Sequence, residues 1–268
     1  MRRPVPAPGL LLALFLPACA PVPDAPAERL RLLEPAWRIL RPEGAGPHPA
    51  AVLLSGCDGV RDNMDLWARE MVARGRVALI LDSHGPRGIG RAEASLVCVG
   101  AELRGAERAG DLAVALAALG REPGVDGRDV VVLGASHGGW TAMELVRLAG
   151  SGEVPPGLAA WPEPPGETLG RLSALVLVYP YCGLLNGARG WEGGPPALMV
   201  LGGEDRVVST PACLERAGAL GIEAAVVAGA DHGFDQRERP AISPLVFDAA
   251  QTGRARWLVA RFLDRLGL

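Results

Sequence analysis

The chain has no lysine; all 27 of its basic residues are arginine. Together with 36 glycines and 24 prolines, this points to a GC-rich bacterial genome rather than to a function. It also lacks an excess of charge of either sign. Thirty acidic residues leave a formal net charge of −3, which gives no electrostatic case for nucleic acid as a partner. Metal-binding spacings are missing too: there is no Cys-x-x-Cys pair and no histidine-rich stretch, so neither a metal nor a cofactor is expected. Histidine is scarce. With only four, a search for a catalytic base can proceed by elimination.

Near the N-terminus, Arg2 and Arg3 precede an apolar run over residues 10–16, too short to span a bilayer. Leu16-Pro17-Ala18-Cys19 then resembles a bacterial lipoprotein signal, which makes Cys19 a candidate lipidation site and membrane tether. Ordinary cleavage after Ala27, following Ala25-Pro26-Ala27, is the rival. Residues 21–27 read as a spacer. The expected organisation is therefore a signal plus tether over 1–27 and a single domain over 28–268. The protein would be exported, to the periplasm or to a membrane as an anchored lipoprotein.

Within the domain, apolar runs bounded by turn residues predict strands over 37–40, 50–55, 76–81, 172–179, 197–201 and 222–228. Helical spacing predicts helices over 62–73, 101–119, 141–148, 210–220 and 254–266. Residues 150–170 are rich in glycine and proline and read as irregular. Strands alternating with helices imply an α/β fold, with a mostly parallel central sheet covered by helices on both faces.

The most informative stretch is Asp129-Val-Val-Val-Leu-Gly-Ala-Ser136-His-Gly-Gly-Trp140. A valine-rich strand runs into Gly134-x-Ser136-x-Gly138, and a helix follows. That is the context of a nucleophile elbow, in which a tight strand-to-helix turn lifts a serine above a sheet edge. The alternative is an ordinary glycine-rich turn. A serine nucleophile needs a base, and the base needs a carboxylate to orient it. His48 lies in a turn, His84 precedes the elbow, and His137 is adjacent to Ser136 and cannot fold back on it. In this architecture the chain order is serine, acid, histidine, which leaves His232. Between them, Leu201-Gly-Gly-Glu-Asp205 ends a strand and supplies the acid. Asp205 is preferred to Glu204. Asp231 is poorly placed, because adjacent side chains diverge from His232. The oxyanion donors fall on the N–H groups of His137 and, in the loop Ser55-Gly-Cys57-Asp-Gly59, Cys57.

Six segments carry a resemblance: Ser55-Gly-Cys-Asp-Gly59, Asp82-Ser-His-Gly-Pro-Arg-Gly88, Gly134-Ala-Ser-His-Gly138, Tyr179-Pro-Tyr-Cys182, Gly202-Gly-Glu-Asp205 and Asp231-His-Gly-Phe234. In this order they resemble the dienelactone hydrolase-like branch of the α/β-hydrolases. The resemblance implies the α/β-hydrolase fold and a hydrolase acting on a small-molecule acyl substrate. The namesake enzymes use a cysteine nucleophile, so Ser136 shifts the expectation toward a general esterase. A peptidase or acyltransferase on the same triad, or a catalytically silent binding lipoprotein, are the alternatives. Arg87 is a candidate clamp for a substrate carboxylate, with a structural pairing to Asp82 or Asp58 as its other reading. Trp140 and Trp161 either line a pocket or pack. Four cysteines remain for the domain, either as buried thiols or as two disulfides. The expected strand order brings Cys182 and Cys213 to one sheet edge and leaves Cys57 to pair with Cys98. Nothing in the sequence fixes an oligomeric state.

Overall fold

The computed structural model describes residues 24–191, 193–239 and 243–268. The Cys19 site and the residues before it lie outside the described residues. The chain enters through α1 (Pro26–Leu33) and then alternates: β1 (Arg38–Leu40), β2 (His48–Leu54), α2 (Asp62–Ala73), β3 (Val77–Leu81), α3 (Ala94–Cys98), α4 (Gly105–Leu119), β4 (Val125–Ala135), α5 (His137–Ser151), α6 (Pro165–Gly170), β5 (Leu172–Val178), β6 (Ala197–Gly202), α7 (Thr210–Leu220), β7 (Glu223–Val227) and α8 (Ala249–Leu266). Among the described residues no helix is long and apolar enough to cross a membrane.

Seven strands form one sheet in the order β1-β3-β2-β4-β5-β6-β7. Every neighbouring pair is parallel except β1 with β3. The inner strands are near-continuous apolar runs because both of their faces are covered. Alternate residues of β2 serve opposite cores. Ala50, Val52 and Leu54 join the core under α4, α5 and α7, whereas Ala51 and Leu53 join the one under α2 and α8. Parallel strands that end together bring the loops after β2, β4, β6 and β7 to one edge, where sites form in such sheets.

Three expectations from the sequence need correction. Residues 24–27 are part of the folded body rather than spacer. Pro26 opens α1, the Glu28 carboxylate accepts from the Ala25 N–H at 3.0 Å, and Asp24 both pairs with Arg29 (2.8 Å) and donates its N–H to Gly157 O (3.1 Å). The helix expected over 101–119 begins at Gly105 and is preceded by the separate α3. Left-handed backbone at Gly100 (φ 72°) and Leu103 (φ 44°) breaks the run, and the Glu107 carboxylate caps the new start by accepting from the Arg104 N–H at 2.6 Å. The segment read as irregular over 150–170 ends in the short α6.

Candidate active site

Ser136 ends β4 with φ 52° and ψ −112°, a conformation costly for a residue with a Cβ. Its backbone is held there from both sides. The Ser136 N–H donates to Val178 O (2.8 Å), and Ser136 O accepts from Tyr181 N–H (3.1 Å). The flanking glycines are sterically required. A Cβ on Gly138 would overlap the Leu54 carbonyl, and one on Gly134 would overlap the Gly138 carbonyl. Helix α5 therefore packs directly over the strand ends, with its N-terminus at the serine.

The structure brings Ser136, His232 and Asp205 together. His232 Nε2 lies 2.9 Å from Ser136 Oγ, and its Nδ1 lies 2.7 Å from Asp205 Oδ2. The second Asp205 oxygen accepts from the Val207 and Val208 N–H groups at 2.8 and 2.7 Å. Both side chains of the His232–Asp205 pair are buried. Asp231 faces away from the ring. It accepts from the His232 N–H (2.8 Å), the Arg206 N–H (3.0 Å) and Arg206 Nε (2.7 Å). Burial works to raise its carboxyl, but the hydrogen bonds from Arg206 and His232 prevail and hold it below the usual range. Asp231 thus braces the loop that carries His232.

Behind His232 is a buried group to which the sequence assigned no role. The Tyr179 ring, on left-handed backbone (φ 38°), lies 4.7 Å from the imidazole. Its hydroxyl donates to the Asp235 carboxylate, which also accepts from Trp67 Nε1 at 2.7 Å. Burial, together with the Asp235 charge, pushes the Tyr179 phenol well above its usual range, so it keeps its proton.

Cys57 and His137 both line the cavity at Ser136. A Cβ on Gly56 would stand 3.8 Å from that of Ser136, so the β2 loop passes close over the serine. Behind this loop, His84 Nε2 donates to Cys57 O at 3.0 Å, and Arg108 of α4 reaches Ser55 O at 3.1 Å. The sequence held a signal for Arg108. It continues the stripe of Leu112, Leu116 and Leu119 at helical spacing, where a charge is out of place.

Arg87 does not face the cavity. Its guanidinium grips both oxygens of the fully buried Asp111 (2.9 and 2.8 Å) and donates to Ser83 O (2.7 Å). The carboxylate-clamp expectation is corrected, and so are the partners foreseen for the structural reading. Asp82 instead accepts from the His84 and Gly85 N–H groups, and Asp58 from Arg61 and Gln236. Asp111 also holds Arg29 at 2.7 Å. The two terminal nitrogens of Arg87 are thus engaged by a carboxylate of the protein itself.

The cysteines pair as Cys57–Cys98 and Cys182–Cys213, with Cα separations of 4.9 and 5.2 Å. The first bridge lies in the cavity wall and fastens α3 to the β2 loop. The second fastens α7 to the chain after β5. The cavity measures about 510 Å³, and Val99, Leu185, Val207, Leu245, Trp140 and Tyr181 give it a largely apolar wall. Of the two tryptophans in question, Trp140 lines the cavity and donates to Glu144 at 2.9 Å, while Trp161 packs against the core. Among the described residues no cluster of His, Cys, Asp or Glu is arranged to hold a metal ion.

No family model matches the chain, and no curated protein does. Solved structures do. A dienelactone hydrolase-like promiscuous phosphotriesterase from metagenomic libraries is 22% identical, with a TM-score of 0.67 over 86% of this chain and 92% of that one. Esterase 2 of Thermogutta terrifontis, phosphoramylated by tabun, is 21% identical, with a TM-score of 0.61 over 86% of this chain and 89% of that one. At these identities the likeness is one of architecture, and the chain has the α/β-hydrolase fold that these structures share.

Proposed function

We propose that the protein is a serine hydrolase that cleaves a small ester through a covalent acyl-enzyme. The observation that carries this reading is the unbroken relay from Ser136 Oγ through His232 to Asp205 at the floor of an apolar cavity. Ser136 Oγ attacks the ester carbonyl while His232 Nε2 takes its proton. Asp205 fixes the imidazole tautomer and favours the imidazolium that forms. The oxyanion is met by the N–H groups of Cys57 and His137. The tetrahedral intermediate collapses, and His232 returns the proton to the departing alkoxide. Water, activated by the same imidazole, then releases the acid and restores Ser136. The apolar wall suits an uncharged acyl group, and with Arg87 committed to Asp111 a dienelactone-type carboxylate loses its expected clamp.

Export fits two disulfides. Cleavage after Ala27 would remove Asp24 and Ala25, which the first turn of α1 uses. Processing ahead of Cys19 would leave them in place, which favours the lipoprotein route.

Organophosphates modify the Thermogutta esterase, so a fluorophosphonate is the apt probe. The wild type should react at Ser136 and hydrolyse short p-nitrophenyl esters. Ser136→Ala should do neither while melting as the wild type does. A silent binding protein would leave both tests blank, and undiminished hydrolysis by Ser136→Ala would refute the assignment.

A further inference from the structure

Arg108 is fully buried, and its position beneath the β2 loop is unusual for a charge. Its Nη1 donates to Ser55 O at 3.1 Å and to His137 Nδ1 at 3.0 Å, and Nη2 reaches Ser55 Oγ at 3.5 Å. Ser55 O belongs to the peptide unit just before the one that carries the Cys57 N–H. His137 carries the other proposed donor. One guanidinium therefore touches the loop that carries one proposed donor and the residue that carries the other. His84 completes the hold by donating to Cys57 O, in the peptide unit just after the Cys57 donor.

The chemistry of these contacts is constrained. A guanidinium can only donate, so His137 Nδ1 must accept, and its ring is neutral with the proton on Nε2. Burial, and then the charge of Arg108, depress His137 well below its usual range and His84 to about 4. Burial lowers Arg108 itself only to about 10, so it remains charged at neutral pH. The nearby Asp111 is taken by Arg29 and Arg87. Among the described residues no carboxylate lies in contact with Arg108. Desolvating a charge without a paired counter-ion is unfavourable. For packing alone, an apolar side chain of similar length would serve better.

Resting on the hydrolase reading above, we propose that Arg108 is the positioning residue of the oxyanion site. It clamps the β2 loop and His137 in one geometry and sets a permanent positive charge behind the donors. Charge fixed before reaction favours the developing oxyanion without reorganisation at the moment of attack.

The test compares wild type, Arg108→Met, Arg108→Lys and Ser136→Ala on p-nitrophenyl butyrate, with melting curves and with inhibition by a boronic acid that forms a tetrahedral anion on serine. Arg108→Met should lower kcat by about 10²-fold, the scale of losing one oxyanion donor, with KM within about twofold. Boronate affinity should fall in parallel with kcat/KM. Arg108→Lys keeps the charge but not the two-way reach, and should recover part of kcat. Should the Met variant fail to fold, the Lys variant decides: kcat equal to wild type per folded molecule overturns the proposal. So does a Met variant whose activity loss equals its loss of folded protein. A wild type inert to ester and fluorophosphonate overturns the hydrolase reading and this inference together. An active wild type, a dead Ser136→Ala and a normal Arg108→Met overturn this inference alone.

Discussion

The two walls that flank Ser136 are built on opposite plans. On the wall proposed for acid–base chemistry, the backbone supports side chains: Asp205 is held by two N–H groups, and Asp231 ties the His232 N–H to Arg206. That wall draws on two neighbouring loops, after β6 and β7. On the wall proposed to hold the oxyanion, side chains support the backbone: Arg108 and His84 hold carbonyls of the β2 loop, and Cys57 is bonded to Cys98. That wall gathers residues from the loops after β2 and β3, from α3 and α4, and from the start of α5. The lesson is one of diagnosis. Damage to the first wall should read directly as lost chemistry, whereas damage to the second should pass through geometry and vary with how much the loop can relax.

The sharpest contrast within the first wall is between its two aspartates. Asp205→Asn should lower kcat by about 10⁴-fold, as the equivalent change does in serine proteases, because the amide favours the wrong imidazole tautomer. Asp231→Asn removes charge only from a brace. It should lower the denaturant midpoint only modestly, since Arg206 is exposed, and leave kcat within about tenfold of wild type. Steady-state kinetics with denaturant melts checks both, and reversed severities would exchange the roles of the two residues.

The two disulfides offer the next contrast, this time between the oxyanion wall and the body of the fold. Their sequence separations of 41 and 31 residues make their loop-closure contributions differ by only about 0.2 kcal/mol, each being roughly 3–4 kcal/mol. Cys57→Ser with Cys98→Ser and Cys182→Ser with Cys213→Ser should therefore lose similar stability. Only the first pair frees the β2 loop and α3, and it should also lose about tenfold in kcat, less than deletion of a donor. Equal kcat for the two double variants, measured below their melting range, would show that the first bridge is a staple and nothing more.

The last contrast concerns acid. His84 is held neutral, with its folded value depressed to about 4 from 6.5. Between those values the unfolded chain binds more protons than the folded one, so stability is present above pH 6.5 and declines as pH falls toward 4. His84→Gln can still donate to Cys57 O, and its stability should change less over that window. Denaturant midpoints at several pH values measure the difference, and identical slopes would remove His84 from the account of acid sensitivity.

How legible each wall was in the sequence follows from the same contrast. The grouping of Ser136, His232 and Asp205 could be read because chain order, scarce histidine and a strand-ending Asp205 narrow the choices. The central strands were legible because buried parallel strands are nearly uniform in hydrophobicity. Arg87 was misread because a loop at the right sheet edge says nothing about Asp111, a helix residue that takes the guanidinium. Arg108 was passed over because backbone donors leave no residue signature and their supports lie far along the chain. Helices α1 and α6 are short and proline-led, so their apolar periodicity spans too few residues to register. The break before α4 depends on left-handed backbone at Leu103, where no glycine marks it.

The kink at Ser136 has a consequence for the stability of variants there. Left-handed backbone at a residue with a Cβ gives up about 1–3 kcal/mol, and glycine would occupy the same φ 52° at less cost. Ser136→Gly should therefore be more stable than Ser136→Ala, because glycine adopts this backbone without a Cβ, although neither variant carries the hydroxyl that the proposed reaction uses.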